Sequence, residues 1–216
     1  MIFYEELKLT EFCKKYPRMR YAPVIGPNLY LEGFFEFSAK SEGHEQITDS
    51  YHLRITIPPG FPQDLPIVHE LGFRIPRRRR FHVNLHDSSL CLGSRLRLLL
   101  AVRKKPTLLG FAENCLIPYL FAVSRKLLHG EDFVFGQLAH DSPGELSDYM
   151  DLFGLKNPEE VKRTIHSLGM KKRRANNMPC PCGCGKRLGK CSFNRRVKRL
   201  RQIAERSYFR KLWGQL

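Results

Sequence analysis

No apolar stretch in this 216-residue chain approaches the eighteen or so residues that a membrane span requires; the longest, Cys115 to Val123, has nine. The amino terminus, Met1-Ile2-Phe3-Tyr4-Glu5-Glu6, lacks both the positive region and the long apolar region of a secretory signal. These absences weigh against a membrane-bound or exported protein, and the expectation is a cytoplasmic one. There is no internal repeat. Acids are scarce in one region only: of the 37 Lys and Arg and 21 Asp and Glu, residues 156–216 hold 18 and 3, leaving 19 and 18 for residues 1–155. A nearly neutral domain therefore carries a basic tail, suited to an acidic protein surface, a ribosome or nucleic acid.

Nor is cysteine arranged for disulfides. Four of the seven fall between 180 and 191, which leaves Cys13, Cys91 and Cys115 scattered and odd in number. That distribution favours metal ligation and catalysis over a disulfide framework. What the chain does have is 42% hydrophobic residues, enough for the core of one domain of about 150 residues with an appendage.

The spacing of those apolar residues predicts a helix over 3–16, ended by Pro17. Strands follow, in which Leu31, Gly33, Phe35 and Phe37 share one side and Leu53, Ile55 and Ile57 alternate likewise with His52, Arg54 and Thr56, as an antiparallel meander with one buried face. Residues 94–105 alternate Arg and Leu before becoming apolar and take no firm assignment. Thr107 offers an N-cap to a helix with Leu108, Phe111, Cys115 and Tyr119 on one face, kinked near Pro118. Ser142 caps a helix over 146–155, and Asn157-Pro158-Glu159-Glu160 starts another that Gly169 closes. Residues 171–177 read as a basic linker, and Val197 to Trp213 as one final amphipathic helix. The division is thus a larger domain over 1–155, a helix and linker over 156–178, and a cysteine module with a basic helix over 179–216.

Two local patterns carry chemistry. Ile57-Pro58-Pro59-Gly60-Phe61-Pro62 ends a strand in a proline-bounded bend, and His82-Val83-Asn84 precedes Ser89-Leu90-Cys91-Leu92-Gly93. Together they resemble the active-site stretch of ubiquitin-conjugating enzymes, with Val83 in place of the middle proline, and the spacing is closer to the bacterial branch of that superfamily. The resemblance covers roughly residues 5–140. It implies an α+β ubiquitin-conjugating fold, a four-stranded antiparallel meander with flanking helices. Cys91 would be the thioester nucleophile, Asn84 the amide donor to the tetrahedral oxyanion, and His82 a structural residue of the loop. The partners implied are an activating enzyme, a ubiquitin-like protein and a target protein, often within antiviral or stress-defence operons.

Nine Lys and Arg against the single acid Asp87 lie between Arg77 and Lys105, a setting that favours thiolate where the fold brings them near Cys91. Cys13 and Cys115 lack such context and read as core. Asp132, His140 and Asp141 fall where the family often places an acidic gate, without a local signal of their own.

The second pattern, Cys180-Pro181-Cys182-Gly183-Cys184-Gly185-Lys186 with Lys190-Cys191, places four soft donors in twelve residues. It resembles the SEC-C zinc motif, and implies structural zinc. Cys180, Cys182 and Cys191 match that motif directly. Its last ligand falls on Ser192, so Cys184 is the expected fourth donor, with His166 or an exogenous ligand as substitutes. Lys186, Arg187 and Lys190 would offset the charge of four thiolates. The function implied is transfer of a ubiquitin-like protein from Cys91 to an amine on a target. The alternative is a noncatalytic zinc-containing protein that binds nucleic acid, ribosome or an acidic partner.

Overall fold

The computed structural model describes residues 8–23, 26–130, 133 and 142–215, and for 142–144 the backbone only. The chain is α+β and forms two compact units, Met1–Gln137 and Leu138–Leu216. The first ends ahead of the boundary expected at 155, so the helix after Ser142 belongs to the second.

In the first unit, α1 (Leu9–Lys15) buries Leu9 and Phe12. Its end is fixed by Tyr16, whose ring stacks on Phe35 at 4.3 Å and lies 4.9 Å from Phe12. Four antiparallel strands follow in spatial order: β1 (Met19–Tyr21), β2 (Leu29–Ala39), β3 (Ile47–Ile57) and β4 (Ile67–Glu70). Leu31 pairs with Ile55, and Leu53 with Glu70. The period-two pattern holds, because Leu31, Phe35, Phe37, Leu53, Ile55 and Ile57 are all buried while Arg54 is exposed. Gly33 is required where β1 joins β2: at φ +148° it packs on the Arg18 carbonyl, which a Cβ would strike.

Beyond the sheet, residues 94–105 form α2 (Arg95–Lys104), capped by the Ser94 hydroxyl accepting from the Arg97 N–H. Leu96, Leu99 and Val102 face inward at helical spacing. The Arg-Leu alternation at its start mimics a strand period, which is why periodicity alone did not assign it. Thr107 caps α3 (Leu108–Phe111) as expected, its hydroxyl accepting from Gly110 at 3.0 Å. The irregularity placed near Pro118 is a π-helical turn at Ala112–Leu116, just before α4 (Ile117–His129). Pro118 follows closely on that turn inside one continuous helical run, and the widened turn accommodates a residue that cannot donate. A buried relay binds α4 to β3: Tyr51 donates to Ser124 at 2.8 Å, Ser124 donates to Asp49 at 2.6 Å, and Arg74 holds Asp49 through both guanidinium ends.

The second unit comprises α5 (Ser142–Phe153), α6 (Pro158–Gly169), α7 (Lys172–Asn177), a cysteine-bearing loop, α8 (Asn194–Leu200) and α9 (Arg206–Trp213). Asn157 caps α6 by accepting from Glu160 at 2.9 Å, and the Glu160 carboxylate accepts from the Lys156 N–H at 2.9 Å. Residues 171–177 are not a linker: 172–177 are helical and bury Ala175. Nor is the last segment one helix, since 201–205 form a turn between α8 and α9. The turn has a cause in Arg201, which donates to the carbonyls of Ser167, Leu168 and Met170 at the end of α6. Arg196 does the same for Phe153 and Gly154 at the end of α5. Two of the tail's cations are therefore spent on helix carboxyl ends, where the macrodipole favours them. Among the described residues, no helix is long and apolar enough to cross a membrane.

Candidate functional sites

The segment after β4 carries Cys91 on a short hairpin. A single 3₁₀ turn, Arg79–Phe81, ends at His82, whose φ of 53° turns the chain sharply. Val83 then bridges Leu90, the Asn84 N–H donates to Ser89, and the Cys91 N–H donates to the His82 carbonyl at 2.8 Å. His82 and Cys91 are thus cross-strand neighbours although nine positions apart in sequence. Ser89 also bridges His69 of β4, which fastens the hairpin to the sheet.

His82 is buried, with its ring edge-on to Phe133 at 4.5 Å. The structural role expected of it fits both this packing and the carbonyl it gives to Cys91. Asn84 is half-buried, and its amide donates to the Ser89 hydroxyl at 2.8 Å. Ser89 in turn donates to Asp87, also at 2.8 Å. One of the two amide hydrogens of Asn84 is thereby used in holding the hairpin, and the other can serve a reacting group. Burial alone would raise the Asp87 carboxyl, but the backbone and hydroxyl hydrogen bonds from Ser89 outweigh it and hold Asp87 below the ordinary range.

Cys91 is half-buried. Of the cations expected around it, Arg77 reaches the hairpin by donating to Ser88 at 2.9 Å, whereas Arg95 pairs with Asp64 and Lys105 with Glu113. The two other thiols of this unit behave as core. Burial raises Cys115 to about 12 and also raises Cys13, each disfavouring thiolate. Asp132, His140 and Asp141 lie outside the described residues.

Sequence reasoning placed Tyr119 only on a helix face and missed its role. Its phenol donates to the Phe81 carbonyl at 2.8 Å, so α4 clamps the turn that precedes His82. Burial, and secondarily the nearness of Cys91, push that phenol well above its ordinary value. Tyr119 therefore stays neutral and remains a donor. No sequence signal marks it, because the acceptor is a backbone carbonyl 38 residues away.

The second unit gathers Cys180, Cys182, Cys184 and Cys191, whose sulfurs all lie within 4.8 Å of one another. Sγ separations are 3.2 Å for Cys180 and Cys182, 3.7 Å for Cys182 and Cys191, and 3.5 Å for Cys184 and Cys191. A tetrahedral metal with thiolates at about 2.3 Å requires edges of about 3.8 Å, so the cluster has the size and donor set to hold a metal ion. Gly183 and Gly185, at φ +72° and +73°, let the chain curl between ligands. The Phe193 N–H donates to the Cys191 sulfur and leads the effects that draw its thiol down to about 7. His166, weighed as a substitute donor, is not in the cluster; its ring stacks on Trp213.

No family model, curated protein or solved structure matches the chain. The arrangement of these residues therefore carries the functional argument.

Proposed function

We propose that the chain is a bacterial, cytoplasmic enzyme of ubiquitin-conjugating type that carries a ubiquitin-like protein as a thioester on Cys91 and passes it to an amine on a target. The observation that carries this reading is the hairpin that sets Cys91 opposite His82 and braces Asn84 two residues further on. Helix α1, the four-strand meander, the cysteine hairpin and α4 also follow the order of that fold. We further read the four-cysteine cluster as a structural zinc site of SEC-C type. Defence or stress operons are the expected setting.

The Cys91 thiolate attacks the thioester carbonyl of the charged activating enzyme, forms a new C–S bond through a tetrahedral oxyanion, and releases the enzyme's thiolate. In the second step a neutral target amine attacks the Cys91 thioester, the C–S bond breaks to release the Cys91 thiolate, and an amide forms as the amine's proton passes to that thiolate or to water. Asn84 supplies the amide hydrogen that the oxyanion of this second step needs. His82 and Tyr119 keep the hairpin in shape, and Tyr119 does so as a neutral phenol.

A bound metal supplies crosslinking of a loop too small to form its own core. Cys180, Cys182, Cys184 and Cys191 would hold it, while Gly183 and Gly185 allow the wrap. Reconstitution with an activating enzyme, ATP and a ubiquitin-like protein tests the proposal. A thiol-sensitive species of higher mass supports it, and its persistence in Cys91→Ala removes the assignment.

A further inference from the structure

Helices α6 and α9 meet at Gly169, where an added Cβ would lie 3.0 Å from Arg210 Cγ and 3.4 Å from its backbone nitrogen. This close approach lets the end of α6 and one face of α9 share a cleft of about 690 Å³. On α9, Arg206, Phe209, Arg210 and Trp213 recur at helical spacing and line that cleft. Phe209 and Leu212 are buried and close the helix pair. Trp213 is 40% exposed, and its ring stacks on His166 with centroids 4.8 Å apart and planes at 27°. An aromatic pair that the core does not need is thus presented at the surface.

The rim of the cleft is cationic. Lys171, Arg174, Arg206 and Arg210 border it, and among the described residues none of the four has an ion pair or side-chain hydrogen bond. Arg196 and Arg201, by contrast, are committed to helix carbonyls. Like charges gathered without acids cost free energy that a polyanion relieves.

We propose that this cleft binds single-stranded nucleic acid, with a base stacked on the Trp213 and His166 pair and the flanking phosphates held by Arg206, Arg210, Lys171 and Arg174. Stacked aromatics beside a cationic groove match the two needs of a single strand, a π-face for the base and positive charge for the backbone. A duplex hides its base faces, and an acidic peptide would satisfy the cations while leaving the aromatic pair unused. A strand is favoured over a lone nucleotide because the 18 Lys and Arg of residues 156–216 extend well beyond four cleft cations. The proposal does not rest on chemistry at Cys91, and its test proceeds equally in Cys91→Ala.

Trp213 is the only tryptophan in the chain, so its emission reports this cleft and nothing else. The full-length, metal-containing protein is titrated at low salt with oligothymidylate of about twelve nucleotides. Saturable quenching is expected, with affinity falling as salt rises. Arg206→Ala with Arg210→Ala weakens binding tenfold or more on the order of magnitude of such contacts, and flattens the log–log salt slope by about 0.7 per cation removed. Trp213→Ala, followed by anisotropy of a labelled strand, weakens binding about tenfold. Where that variant melts at lower temperature than the parent, the exposed His166→Ala takes its place with the same expectation. Unchanged emission overturns the proposal. So does equal competition by polyglutamate, which would mean charge without stacking, or by a blunt duplex of the same length.

Discussion

The backbone N–H of Cys91 donates to the carbonyl of His82 at 2.8 Å, which makes the two residues partners across one short hairpin. The same hairpin holds Asn84 through Ser89, and Ser89 through Asp87. Position at Cys91 and position at Asn84 are therefore coupled, since neither strand can shift without breaking a hydrogen bond in the other. Tyr119 closes the arrangement from α4 by fixing the Phe81 carbonyl.

Asn84→Ala is expected to leave loading of Cys91 nearly intact and to slow discharge to free lysine. The loss of one oxyanion donor corresponds to about a hundredfold or more in rate. Ser89→Ala removes the brace but keeps the amide, so its discharge falls less. Single-turnover discharge of the loaded protein measures both, and equal loss in the two variants would reduce Asn84 to a brace.

Asp49 predicts an acid dependence of the first unit. Burial acts to raise its carboxyl, but hydrogen bonds from Arg74 and Ser124 outweigh this and hold it below its ordinary 3.8. Because the folded value lies below the unfolded one, the stabilisation is complete above about pH 4 and is lost as pH falls through the lower folded value. Arg74→Ala removes the largest lowering influence and leaves the burial, so the folded value moves toward the unfolded one or above it, and the variant, less stable near neutral pH, loses less of its remaining stability to acid than the parent does. Thermal melts across this range decide the point, and superimposable profiles would contradict it.

The meander was legible because Leu31, Phe35, Leu53 and Ile55 alternate cleanly, and the caps because Thr107 stands directly before an apolar run and Asn157 before a proline and two acids. The cysteine cluster was legible from spacing alone, since four ligands in twelve residues leave little freedom. Other features depended on partners remote in sequence. Residues 171–177 look like a solvated linker until Ala175 is seen buried, and the break between α8 and α9 follows from Arg201 reaching carbonyls more than thirty residues upstream. Tyr119 and Ser89 act through a backbone carbonyl and a neighbouring amide, neither of which has a sequence signature.

One tightly held zinc per chain is expected from the cysteine cluster. Elemental analysis after dialysis measures it, with Cys182→Ser losing the metal while the first unit keeps its melting transition. Cys184→Ser should also weaken retention, because its sulfur lies 3.5 Å from that of Cys191. Unchanged affinity in Cys184→Ser would remove it from the ligand set.

Arg201→Ala should destabilise the second unit by about 2 kcal/mol, the scale of hydrogen bonds from a charged donor to carbonyls at a helix end. The three carbonyls it serves end α6, against which α9 packs, so loss of the cap loosens both helices. Urea unfolding followed by Trp213 emission reads this directly. For the same reason a truncation at residue 175 would cut through α7 and remove both capping arginines, so separation of the units belongs between 137 and 138.

The most direct measurement of the central claim is the intact mass of the chain after incubation with a ubiquitin-like protein, its activating enzyme and ATP. The account predicts an increase equal to that protein less one water, removed by excess thiol, mapped to Cys91 and absent in Cys91→Ala. An adduct that survives Cys91→Ala, or no adduct while the activating enzyme itself is charged, would contradict it.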